Sequence, residues 1–159
     1  MGFKLEKLIF TTPAEVIASL SVFVKAGKDF DKLLNLRKEK LSRAIYKSPS
    51  FTGHGSGKGK YRKDSMAAAL AEVERIDKRI YELAGNFSDL QNQVQDIINR
   101  LYPNYNQMSI LEWRYINGAK WETIAERTGF AISHCYKLHN QAIIQLMKNN
   151  ILTNDGKTN

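Results

Sequence analysis

Between Ala131 and Lys148 the chain places Ile132, Ser133, Tyr136, Lys137 and Asn140 on one side of a helical wheel, with His134 and Gln141 flanking them. Cys135, Leu138, Ala142 and Leu146 recur at three- to four-residue spacing on the opposite side. A helix that buries the second set must present the first. The presented groups suit the edge of a base pair. Lys137 can reach guanine acceptors or a phosphate, Ser133 suits either, and Ile132 or Tyr136 can meet a thymine methyl. The wet face of an ordinary helical bundle has the same composition, so the spacing alone leaves both readings open.

Other chemistry finds no support in the spacing. His134 and His139 stand five apart and miss the i, i+4 relation that would make them metal ligands on one helix, and His54 is remote. Cys135 has no spaced partner cysteine and sits on the apolar side, which marks it as core. The run GHGSGK invites comparison with a phosphate-binding loop. Its glycines are one residue too close, Gly59 stands where the magnesium-binding hydroxyl is needed, and no strand precedes it. No serine elbow, acidic metal cluster or dinucleotide fingerprint is present. The expectation is a protein without enzymatic activity, metal or cofactor.

The elements that must position these residues begin at Met108. Ile110, Leu111, Tyr115 and Ile116 give one helix an apolar face, and Asn117-Gly118 stops it. A second helix runs from Trp121 to Arg127 with Trp121, Ile124 and Ala125 on one face. Thr128-Gly129-Phe130 is a short turn, and a third helix follows from about Ala131 to Lys148. Two short helices joined by a three- to four-residue turn containing glycine is the helix-turn-helix layout, whose second helix enters the DNA major groove.

From Leu111 to Leu146 the chain resembles region 4 of bacterial sigma factors and the phage regulators that share it. Arg114-Tyr115-Ile116-x-Gly118 is similar to the family's first-helix ending and Trp121-Glu122-x-Ile124-Ala125 to its E-I-A second helix. Gly129 resembles the turn glycine, and Cys135, Leu138, Ala142 and Leu146 fit the buried positions of the recognition helix. More of the chain, roughly two thirds, resembles phage late-gene transcriptional regulators of the ArpU family, through the Lys47-Ser48-Pro49 loop and the helix before the motif. The resemblance implies double-stranded DNA as partner, RNA polymerase as a second one, the cytoplasm of a bacterial host, and reading positions at Ile132, Ser133, Tyr136 and Lys137. One residue departs from the pattern. Ala131 opens the recognition helix where Ser or Thr is usual, losing a cap worth about 1 kcal/mol unless Ser133 caps a later start.

The charge agrees with an anionic partner but lies elsewhere. The 159 residues carry a net +8, with +9 in residues 25–63, −3 in 64–101 and only +2 in 102–159. A separate segment that grips phosphates would explain this, as would basic and acidic helices packed side by side. No apolar run is long enough to span a membrane, no secretion signal is evident, and one cysteine suits a reducing compartment.

Taken from the start, residues 1–10 fit a short helix or a strand. Thr12, Pro13 and Glu15 form a capping box for a helix with the stripe Val16, Ile17, Leu20, Phe23 and Val24, which Gly27 can end. A basic amphipathic helix over 28–46 shows Phe30, Leu33, Leu34, Leu41 and Ile45 on one side. A Gly/Ser-rich linker follows, in which Lys58, Lys60, Arg62 and Lys63 form either a basic arm for phosphates or a plain spacer. From Met66 to Leu101 apolar residues alternate at three and four over five heptads, the seam of a long bundle or coiled-coil helix. Gly85-Asn86 is a soft point in one continuous helix. Its partner is either helix 28–46 folded back antiparallel or the same helix of a second subunit. Trp113 and Trp121 read as core aromatics, and Arg114 and Arg127 as phosphate clamps or ordinary exposed charges.

The expected architecture is all-α: an N-terminal helical segment (1–46), a flexible basic linker (47–63), a long heptad helix (64–103), a helix-turn-helix module (104–148) and a frayed tail (149–159). The expected function is sequence-specific DNA-binding transcription regulation, as a phage late-gene activator. Two alternatives use the same layout. One is a DNA-packaging initiator (small terminase subunit). The other is a sigma-like protein that binds RNA polymerase without reading DNA alone.

Overall fold

The computed structural model describes residues 9–46 and 59–152, and the side chains among them except at 46, 59–65 and 150–152. Every regular element among the described residues is a helix, as the periodicity requires: α1 Pro13–Leu20, α2 Val22–Tyr46, α3 Gly59–Asn99, α4 Tyr105–Tyr115, α5 Trp121–Thr128 and α6 Ile132–Leu152. The readings of residues 1–8, of 47–58 including Lys58, and of 153–159 fall outside the described residues.

At the start of α1 the capping box is complete. The Thr12 hydroxyl accepts from the Glu15 N–H at 3.3 Å, and the Glu15 carboxylate accepts from the N–H groups of Thr12 at 3.3 Å and Thr11 at 2.7 Å. The other end differs from expectation. α1 stops at Leu20, not at Gly27, and Gly27 lies inside α2. The cause is local: the Ser21 hydroxyl bonds back to the Ile17 carbonyl at 2.6 Å, offering the backbone an alternative to continuing the same helix. α3 also departs from its expected limits. It begins at Gly59, so the linker drawn to residue 63 is shorter, and Lys60, Arg62 and Lys63 belong to the first two turns of a helix. It runs unbroken through Gly85-Asn86 and ends at Asn99, where the N–H groups of Arg100, Leu101 and Tyr102 turn to carbonyls three residues back. α6 in turn continues past Lys148 to Leu152, into the segment read as tail.

The chain divides into two compact units, Met1–Lys25 with Phe87–Asn159, and Ala26–Asn86. These limits cut across the segments drawn from sequence at residues 46, 63 and 103, because α2 and α3 each contribute to both units. In the first unit α6 is the hub, packed by α4, α5 and α1. Its core joins Phe10, Val16 and Leu20 to Val94, Ile97, Ile98 and Leu101 and to Leu111, Tyr115, Ala142, Ile143 and Leu146. A second cluster of Ile110, Ile124, Cys135 and Leu138, flanked by Trp113, Trp121 and Phe130, fastens α4, α5 and the first half of α6.

In the second unit α2 and α3 run antiparallel. Arg37 pairs with Asp77, and Lys40 Nζ lies 2.7 Å from Glu72 Oε1. Ala26, Ala44, Val73 and Ile76 are buried. Of the two partners expected for the long helix, the intrachain one is present here. The seam on α2 is rotated from the one expected: Leu34 and Ile45 lie outside it, 42% and 59% exposed.

Candidate nucleic-acid interface

Two short helices, α4 and α5, precede the long helix that carries the predicted reading residues, and each of the two is ended by a specific device. α4 closes where the N–H groups of Ile116 and Asn117 bond to the Glu112 carbonyl and Gly118 takes φ 65°. α5 closes on Gly129, at φ 73° and ψ 10°, whose N–H bonds to the Ala125 carbonyl. The Thr128 hydroxyl donates to the Ile124 carbonyl at 2.7 Å and touches Cys135 Sγ at 3.9 Å, tying the turn to α6. α6 then starts at Ile132. The Ala131 carbonyl accepts from His134 and Cys135 N–H groups at 2.9 and 3.0 Å, so Ala131 stands at the capping position with no side-chain oxygen to offer. Ser133 lies within the first turn and does not cap a later start.

Rotation of α6 is decided by its core. Cys135, Leu138, Ala142 and Leu146 are all buried. Ile132, Ser133, His134, Tyr136, Lys137, Asn140 and Gln141 are all exposed. The structure therefore brings the seven predicted residues to one side of one helix. Two are held from below. The Tyr136 ring lies 4.4 Å from the Trp121 ring, and His134 meets the edge of Phe130 at 5.0 Å. Trp121 is thus a platform under the exposed face as well as a core aromatic. With four N–H groups unpartnered within the helix at its start, the end of α6 also carries the positive pole of its dipole.

The predicted phosphate contacts are more scattered. Arg114 lies over the Trp121 ring, 4.9 Å from its centroid, and donates to the Ala119 carbonyl at 2.9 Å. Its guanidinium braces the end of α4 against the start of α5. Arg127 is exposed, with its charge 5.8 Å from the Trp113 ring. Lys60, Arg62 and Lys63 are on α3, away from these helices in sequence, and their side chains lie outside the described residues.

One residue under this face had no role in the sequence reading. His139 is 7% exposed, its Nε2 lies 2.8 Å from the Tyr115 hydroxyl, and its Nδ1 lies 3.3 Å from Asn140 Oδ1. One neutral tautomer satisfies both contacts: Nδ1–H donates to Asn140 and Nε2 accepts from Tyr115. Burial lowers the His139 pKa from its ordinary value and raises that of Tyr115, which favours this neutral pair. The signal that pointed to it was its place four residues after Cys135, on the buried side.

The geometry defines an all-helical unit in which the first three turns of one well-anchored helix present hydroxyl, ammonium, amide and apolar groups together. Among the described residues no group of three or more His, Cys, Asp or Glu could hold a metal ion, and no helix is long and apolar enough to cross a membrane. Comparison of the chain with protein-family models, curated proteins and solved structures finds no match in any of the three.

Proposed function

We propose that the protein is a sequence-specific, double-stranded DNA-binding transcription regulator in which α5, the Gly129 turn and α6 act as a helix-turn-helix. α6 would lie in the major groove, with Ser133, Lys137 and Asn140 on base edges and Ile132 and Tyr136 against thymine methyls. The observation that carries this reading is the shared outward face of α6: all seven candidate reading residues are exposed on a helix whose opposite face is sealed in two core clusters. The resemblance to sigma region 4 and to phage late-gene regulators points the same way. It suggests RNA polymerase as the second partner and activation of late genes as the role. Arg114 serves this reading as a brace for the module, and Arg127 is the better placed of the two for a phosphate.

The test begins with selection of bound duplexes from a random pool by the full chain at fixed salt. A sequence motif should emerge. Ser133→Ala with Lys137→Ala should then weaken binding to that motif by about tenfold to a hundredfold for each base-edge interaction removed. Binding to unrelated duplex should fall much less. Tyr136 is left in place because its ring packs on Trp121. A pool without enrichment, or equal affinity of wild type and variant for the motif, would overturn the proposal.

A further inference from the structure

The second unit is a two-helix layer, and such a layer has no second side with which to cover its apolar residues. Phe30 and Leu33 on α2 and Ile80 and Leu83 on α3 are only half-buried, although they lie on the seam. Leu34 and Ile45 on α2, and Met66, Leu70 and Tyr81 on α3, are exposed, Tyr81 by 82%. These five are not scattered. Turning around each helix from its seam in the sense of increasing residue number, Leu34 and Ile45 come next on α2, with Lys38 beyond them. On α3 the same turn meets Met66, Leu70 and Tyr81, with Glu74 beyond them. In antiparallel helices the same sense of turn leads to the same face of the pair. One face of the hairpin therefore carries these five apolar side chains, with Asp77 of the Arg37 pair among them on α3, Lys38 beyond them on the α2 side and Glu74 on the α3 side; Leu36, 37% exposed, lies on the other face. Neither Lys38 nor Glu74 has an ion-pair partner among the described residues.

We infer that this face seats a second copy of the chain, giving an antiparallel four-helix bundle with α2 of each protomer against α3 of its partner. Register and charge both select this arrangement. Arg37 paired with Asp77 and Lys40 with Glu72 set the levels within the hairpin. By the same register Leu34 stands level with Tyr81, Lys38 with Glu74, and Leu41 and Ile45 with Leu70 and Met66. A two-fold axis parallel to the helices keeps every level and exchanges the two sides. It therefore lays Leu34 on Tyr81, Ile45 on Met66 and Leu70, and Lys38 on Glu74 across the interface, each pairing made twice. The alternative axis, across the helices, would stack α2 on α2. That helix carries seven Lys and Arg against three acids, so it repels itself. The interface makes partners of basic α2 and the acidic stretch 64–101 in one bundle, and it does not depend on the DNA-binding reading.

Sedimentation velocity of the full chain over a concentration series tests this. The wild type should form a dimer of twice the 18.1 kDa chain mass. Lys38→Glu and Glu74→Lys should each weaken association by about tenfold or more, because like charges then meet at two symmetric points. The double variant Lys38→Glu/Glu74→Lys should recover most of the loss. Leu34→Glu with Ile45→Glu should give a monomer of unchanged helical content by circular dichroism, since both residues are exposed in the single chain. A wild type that is monomeric throughout, an oligomer larger than a dimer, single variants that associate like wild type, or a double variant as weak as the singles would each overturn the proposal.

Discussion

His139 links the core to the exposed face of α6 through one imidazole, with Tyr115 behind it and Asn140 in front. Its pKa is lowered in the folded chain from the ordinary 6.5, chiefly by burial, so below that pH the unfolded chain binds the proton more readily than the folded one. The stability that neutral His139 supports is fully present above about pH 6.5 and is lost as pH falls toward the folded pKa. Thermal melting from above pH 6.5 down to about pH 5 should therefore fall more steeply for wild type than for His139→Gln, which keeps a polar group toward Tyr115 and cannot take up a proton. Equal slopes would show that His139 is not the titrating group. At this scale the exposure of the candidate reading residues was legible, because exposure follows from rotation and rotation from the apolar set. The commitment of Arg114 to Trp121 and Ala119 was not, since a guanidinium in sequence carries no sign of which ring or carbonyl it will meet.

Elements were most legible where a side chain acts on its own backbone. Thr12 and Glu15 cap α1 as their spacing predicts, and the glycines after α4 and α5 take the left-handed conformation that terminates each helix. Boundaries failed where a signal was ambiguous: Ser21 ended α1 while Gly27 stayed helical. Two glycines with different backbone requirements make a direct test. At Gly129, φ 73° strains any L side chain although nothing lies within 4 Å of the site, so Gly129→Ala should lower stability by about 1–2 kcal/mol. Gly85 is in mid-helix with equally open surroundings, so Gly85→Ala should raise stability by about 0.5–1 kcal/mol. Denaturant titration of both variants checks the opposite signs. A destabilised Gly85→Ala would mean that α3 does not run straight through that position.

On the scale of the whole molecule, the unit that carries the candidate interface includes the N-terminus. α1 packs on α6, and Phe10, Val16 and Leu20 share a core with Ala142, Ile143 and Leu146. Leu20 is fully buried there. Leu20→Ala should cost about 2–5 kcal/mol and reduce hydrogen-exchange protection along α6, well over a hundred residues away in sequence. Loss of protection confined to α1 would show that the two helices are energetically separate. If the effect reaches α6, the C-terminal helices should be studied with residues 1–25 attached.

Helix content, the caps, the glycine stops and the inward face of α6 were determined by the sequence alone, because each follows from groups within one or two turns of one another. Tertiary structure decided that α1 completes the core around α6, that the α2 seam excludes Leu34 and Ile45, that Arg114 is a brace, and that His139 stands under the exposed face. The physical reason is the same in each case. Periodicity records that a helix has an apolar side, but burial of apolar surface is non-directional and names no partner. Partners are chosen by the fit of side chains across elements distant in the chain, a fit that local spacing does not contain.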